Sequence, residues 1–202
     1  MLDSLKGANP NIRVVINCAG GYQDGDVRCE NVLQTSANMW DVNVLPSVAA
    51  SHLASHVLQK DGLLILTGAA PVLHAPTPKI LAYGISKAAI HHLVESLASE
   101  DAGLPEGVKA IGMLPTKIDT PMNRKFNPND DFTTWTPTLA FSQQVLDWAT
   151  KQADVQQGGL YVFETKSSKT KVYLANHPTG SSSKGKGKKT AATGSEDTEN
   201  VA

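Results

Sequence analysis

Residues 12–21 read IRVVINCAGG. A run rich in Ile and Val gives way at Asn17 to small residues, Cys18 to Gly21. Apolar residues without strict alternation are the pattern of a strand covered on both faces. Small residues at its end let a ligand approach backbone, and in open α/β sheets ligands bind at that carboxyl edge. Three further runs read the same way: GLLILTGA from Gly62, VKAIGMLP from Val108 and GLYVFE from Gly159. Helical periodicity lies between them. Met39 to Leu58 carries Pro46 as a kink or break near its start. Tyr83 to Ser99 places Ile85, Ala89, Leu93 and Leu97 on one stripe, and Thr138 to Thr150 follows the starting signal Thr136-Pro137. Strands alternating with helices predict an α/β fold, a parallel sheet with helices on both faces.

Bulk composition narrows the function classes. With 202 residues at 41% hydrophobic, the chain has enough apolar surface for one core. A formal net charge of -1 argues against nucleic acid or a membrane surface as the main partner. Cys18 and Cys29 are too few for a disulfide framework and suit a reducing cytoplasm, and Cys18 is expected as a small core residue. The sequence holds no long apolar run of membrane-spanning length, and MLDSLKGANPN lacks a signal-peptide core, so neither insertion nor export is expected. From Pro178 onward large apolar residues nearly vanish, so residues 178–202 are expected to be a disordered polar tail behind a domain at 1–177. The KGKGKK run within it reads as solvated charge.

Tyr83 and Lys87 stand four apart at the head of the second helix. Such a pair is common by chance, and its bland reading is two side chains on adjacent turns. Three neighbours favour chemistry: NCAGG (17–21), LTGAA (66–70) and PTKIDTPMNRK (115–125), each following a strand and all converging on one sheet edge. A free phenol titrates near about 10, and an ammonium held close is expected to lower that by roughly 1–3 units. His52 and His56 are a helical turn apart, but no third ligand accompanies them, so a surface or interface role rather than a metal is expected there and at His91 and His92. Trp148 is expected in the core, whereas Trp135, in a Pro-flanked loop, either stacks on a ligand ring or packs.

These motifs resemble the short-chain dehydrogenase/reductase superfamily from about Ile12 to Thr165, and within it the dihydropteridine reductases. The superfamily's Asn-x-Ala-Gly matches Asn17, Ala19 and Gly20, and its Tyr-x-x-x-Lys matches Tyr83 and Lys87. DTPMNRK (119–125), FTTWTP (132–137) and SHLASHVLQKDGLLILTGA carry the narrower likeness. Where most of the superfamily has a catalytic Ser this chain has Ala70, a substitution that separates dihydropteridine reductases from ordinary carbonyl reductases.

The resemblance implies a Rossmann-like fold and hydride transfer from NADH, or NADPH in its place, to a quinonoid dihydropterin. Tyr83 and Lys87 would be catalytic. Asn17, Ala19, Gly20, Tyr83, Lys87, Pro115, Ile118 and Thr120 would hold the cofactor, and Ala70 and Trp135 would face the pterin. Asn43 falls where many members hold a relay water, its alternative being a helix Asn that is exposed or bonds backbone. A cytoplasmic homodimer through helices 39–58 and 83–99 is implied, without nucleic acid or membrane. One departure points elsewhere. The family's Gly-rich pyrophosphate turn has no counterpart, because Gly7 stands alone and GGYQDGD follows the wrong strand. The first βαβ portion is therefore expected to be missing, and the competing reading is a non-catalytic remnant serving as a dimerisation or interaction module.

Overall fold

The computed structural model describes residues 11–73, 75–151 and 153–175. The stretch 178–202, expected as a polar tail, lies outside them, as does Gly7. Strands β1 (Ile12–Asn17), β2 (Leu58–Thr67), β3 (Lys109–Pro115) and β6 (Leu160–Lys166) lie side by side in that order, all parallel. β7 (Lys169–Leu174) adds an antiparallel edge next to β6. That edge is absent from the sequence reading. Its segment KTKVYL is short and lysine-bearing, as edge strands often are, and it is reached through Ser167 and Ser168, whose φ of 48° and 61° make the hairpin turn.

Alternation along the strands sorts the core. Leu64 and Leu66 of β2 join Ala110, Leu114, Leu160 and Val162 under one layer of helices. Leu63 and Ile65 point the other way, to Ile111, Met113, Phe163 and the helix that supplies Phe141 and Trp148. Trp148 is therefore core, as its pattern predicts. Phe163 is fully buried and stacks on Phe141 with ring centroids 4.4 Å apart.

The first helical segment begins earlier than its periodicity predicts. α1 (Val32–Met39) runs through a π-wound turn, Trp40–Val44, into α2 (Leu45–Val57). VLQTSANM is half polar, so its inward residues, Thr35 and Met39, form no obvious apolar stripe. Pro46 falls in the first turn of α2 and has no N–H for the turn before it; the wide turn absorbs that loss and swings Asn43 fully inside.

α3 (Leu81–Ser96) corrects the expected stripe. Its buried face is Ala82, Ser86, Ile90 and Val94, with Lys87 and His91 beside them. Ile85, expected inside, is 54% exposed. Leu97 and Leu93 of the expected stripe do reach the core, so the helix is apolar on two sides and periodicity alone picked the inner one only in part. Gly84 allows Thr77 to cross α3 closely, since a Cβ there would collide with the Thr77 hydroxyl. A small second sheet pairs β4 (Ile118–Asp119) with β5 (Thr136–Pro137), with α4 (Pro121–Phe126) between them. α5 (Thr138–Ala149) then covers the second face. Cys18, expected in the core, is exposed because it lies just past the end of β1. Among the described residues no helix is long and apolar enough to cross a membrane.

Candidate active site

The carboxyl ends of β1, β2 and β3 and the first two turns of α3 meet at one edge of the sheet, bringing together the three segments singled out from the sequence. Lys87 is 4% exposed and donates a hydrogen bond to the Thr67 carbonyl at 2.9 Å. Its Nζ lies 5.9 Å from the centre of the Tyr83 ring. Tyr22, in the loop after β1, sets its ring edge-on to Tyr83 at 5.1 Å.

The electrostatics differ from the expectation of a phenol acidified by lysine. Burial, assisted by Tyr22, pushes Tyr83 up to about 12. Burial also brings Lys87 down to about 8. The ammonium bonds a carbonyl rather than the phenol, so desolvation outweighs its pull on Tyr83. At neutral pH the pair is a protonated phenol beside a mostly charged lysine. Such a pair is chemically able to donate a proton, with a cation near to stabilise the conjugate base.

A buried polar chain frames this pair. Asn17 donates to Ser47 Oγ at 2.9 Å, and its side-chain oxygen accepts the Ala19 N–H at 3.1 Å. Ser47 in turn donates to the Asn43 carbonyl at 2.8 Å. Asn43 accepts the Gly21 N–H at 2.9 Å and donates to the Gly21 carbonyl at 3.1 Å and to Ser86 Oγ at 3.0 Å. The Asn43 side chain thus staples the loop after β1 to α3. No described buried side-chain polar atom lacks a partner.

Ala19 and Gly20 are exposed at the strand end. A Cβ on Gly20 would lie 2.8 Å from Asn43 Oδ1 and 3.4 Å from Lys87 Nζ, so only glycine leaves the backbone open beside the lysine. Pro115 closes β3 and is buried, Ile118 is half-buried, and Thr120 caps α4 by accepting the Asn123 N–H at 3.1 Å. A hydroxyl that accepts within a cap keeps its own proton to donate. These residues fit the nicotinamide end of a dinucleotide: exposed backbone, a buried cation and a donor hydroxyl at one edge. Ala70 opens a 3₁₀ turn (Ala70–Val72) and lines a cavity of about 420 Å³ with Thr116, Val162 and Tyr173.

Trp135 does not serve as a stacking platform. It is 3% exposed, edge-on to Phe132 at 4.7 Å and capped by Lys117 Nζ 4.5 Å from its ring centre, so packing accounts for it. His91, expected at the surface or an interface, is instead buried and accepts the Ala69 N–H; Tyr22, Ser47 and Ser86 also belong to the surroundings of the site but were not read from the sequence. Tyr22 had a signal, since it directly follows the small-residue stretch; the others had none.

Residues 1–131 match the family described as short chain dehydrogenase. The dihydropteridine reductase of Dictyostelium discoideum is 34% identical over 171 residues, 84% of this chain and 74% of the relative. The chain belongs to the short-chain dehydrogenase family. Galactitol 2-dehydrogenase of Rhizobium johnstonii is 33% identical over 113 residues, 54% of this chain and 43% of that protein. Among solved structures, a short-chain dehydrogenase/reductase from Serratia marcescens superposes with a TM-score of 0.66 at 22% identity, covering 84% of this chain and 74% of the other. A short-chain dehydrogenase from Burkholderia cenocepacia in complex with NADP gives 0.63 at 19% identity, over 80% and 71%. The fold, the family and the likeness to dihydropteridine reductases expected from DTPMNRK and FTTWTP are thus found along most of the chain.

Proposed function

We propose that this short-chain dehydrogenase is a dihydropteridine reductase, returning a quinonoid dihydropterin to its tetrahydro form at the expense of NADH, or of NADPH in its place. The observation that carries the reading is the pair of half-buried Tyr83 and buried Lys87 at a sheet edge, in a chain with Ala70 where most of the superfamily has a Ser. When bound, the nicotinamide supplies a hydride. The chain's own residues supply the rest. Tyr83 keeps its proton at neutral pH and gives it to the pterin nitrogen, so one hydride and one proton together complete the reduction. Lys87 bears a positive charge close to the phenolate that remains, lowering the cost of the transfer. Ala19, Gly20 and Thr120 offer backbone and a hydroxyl to the ribose and carboxamide, with Pro115 and Ile118 as apolar lining. A quinonoid ring is already electron-poor, which removes the need for a serine to polarise a carbonyl.

Exposed apolar side chains support a homodimer through the outer faces of α1, α2 and α3. Leu33, Trp40, Val48 and Ile85 are 82%, 46%, 46% and 54% exposed. A folded monomer in sedimentation at micromolar concentration would exclude that assembly. We place the protein in the cytoplasm, where both free cysteines stay reduced. The activity is tested by following NADH oxidation with a freshly generated quinonoid dihydropterin. Turnover with the pterin and none with simple carbonyl compounds is expected; the reverse pattern makes the protein a carbonyl reductase, and binding without any turnover makes it an interaction module.

A further inference from the structure

We propose that His91 is a positioning residue, its imidazole accepting the Ala69 N–H and so holding the end of β2, Thr67 to Ala70, against α3. The role rests on the reductase reading above, because that backbone faces the reacting groups.

Tyr83, Lys87 and His91 follow one another at intervals of four residues, on successive turns of one helix. His91 is 6% exposed, and its Nε2 accepts the Ala69 N–H at 3.1 Å in a buried contact. A main-chain N–H can only donate, so Nε2 is the unprotonated nitrogen and the ring proton sits on Nδ1. One turn earlier Lys87 donates to the Thr67 carbonyl at 2.9 Å. Between the two anchors lies Gly68, tied to β3 through its own N–H to the Met113 carbonyl at 2.9 Å. A Cβ on Gly68 would sit 2.5 Å from His91 Nε2 and 2.7 Å from Cδ2, so glycine at 68 and histidine at 91 fit as a pair.

The consequence is local. Ala69 follows the last residue of this strand end tied to β3, and its N–H is satisfied by the imidazole. Without that acceptor a buried donor has no partner, a state that backbone rotation relieves. Rotation at 69 displaces the Thr67 carbonyl that orients Lys87 on one side and Ala70 on the other. A merely space-filling His91 would have neither effect.

Two substitutions separate the roles. His91→Leu fills the space without an acceptor; His91→Gln offers its amide oxygen near the place of Nε2. In pterin-reduction assays run well below each variant's melting temperature, His91→Leu is expected to lower kcat roughly ten-fold or more, through misplaced groups. His91→Gln is expected to stay within about three-fold of wild type, as rescue of a positioning contact requires. Leucine and glutamine variants equally impaired, or a leucine variant with wild-type kcat, would overturn the proposal. ¹⁵N NMR of the histidine-labelled wild-type chain decides it independently of activity and of variant folding: an unprotonated Nε2 on His91 is expected, and a protonated Nε2 would overturn it. A wild-type chain that shows this tautomer but turns over no pterin would sink the proposed reaction and leave the contact standing.

Discussion

The two ends of the same parallel sheet are built on opposite plans. At the amino ends of β2 and β3, charge sits on the surface: Lys60 pairs with Glu106 at 2.5 Å with 61% and 79% of the side chains exposed, and Lys109 reaches an Asp154 that is 94% exposed. At the carboxyl ends polar groups go inside. Asn17, Asn43, Ser47, Ser86, Lys87 and His91 are all buried. Exposed pairs are worth at most about 1 kcal/mol each, whereas a buried polar group left without a partner costs about 1–3 kcal/mol. The buried polar cluster at the carboxyl ends is the one that holds Lys87, beside Tyr83.

Substitutions at the two ends test this contrast, and the largest effect is expected at Tyr83. Tyr83→Phe should lower kcat by about 10²–10⁴-fold, the usual worth of a general acid, while dinucleotide affinity measured by fluorescence titration stays nearly constant. Full turnover by the phenylalanine variant would take the proton donor out of the mechanism.

Lys87 comes next, and it separates function from stability. Its folded value of about 8 against the ordinary 10.5 means that the charged form is disfavoured on folding by roughly 3 kcal/mol at neutral pH. Lys87→Met should therefore abolish most turnover yet unfold in urea at no lower concentration than wild type. The sign of the pH effect follows. Between about 8 and 10.5 the folded state binds fewer protons than the unfolded one, so wild-type stability rises with pH across that window relative to the variant. Turnover moves the other way, declining as pH climbs through about 8 and the ammonium is lost. A wild type that loses stability against Lys87→Met from pH 8 to 10 would mean that the lysine is not desolvated.

Asn43→Ala should cost about 2–4 kcal/mol, because the Gly21 N–H and carbonyl and Ser86 lose their shared partner together. Loss of activity is expected to follow the loosened loop. At the other end of the sheet, Lys60→Ala should change stability by less than about 0.5 kcal/mol and leave kcat alone. Equal costs for these two changes in chemical denaturation would erase the distinction between the ends.

Legibility in the sequence followed the same division. The four parallel strands were readable because burial on both faces demands continuous Val, Ile and Leu, and the small residues at their ends marked the edge that receives a ligand. Tyr83, Lys87, Asn17, Ala19 and Gly20 were readable as motifs. β7 was not, since a strand with one exposed face and several lysines carries too little apolar signal. Nor was the inner stripe of α3, because Ile85 and Ile90 are equally apolar and only the position of the sheet tells them apart.

The sequence by itself determined the four parallel strands and the three main helical segments between them, the edge at which they converge and the phenol–ammonium pair placed there, because periodicity and spacing are local properties. Tertiary structure alone decided how those groups behave. Whether Tyr83 is acidified by Lys87 or kept protonated by burial depends on solvent access and on a carbonyl twenty residues away, Thr67, that claims the ammonium. Whether Trp135 stacks on a ligand depends on Phe132 and Lys117 already occupying its ring. Whether His91 is a surface residue or a clasp depends on Gly68 and Ala69 arriving from another strand. Desolvation and hydrogen-bond competition arise between segments distant in the chain, and no local pattern encodes them.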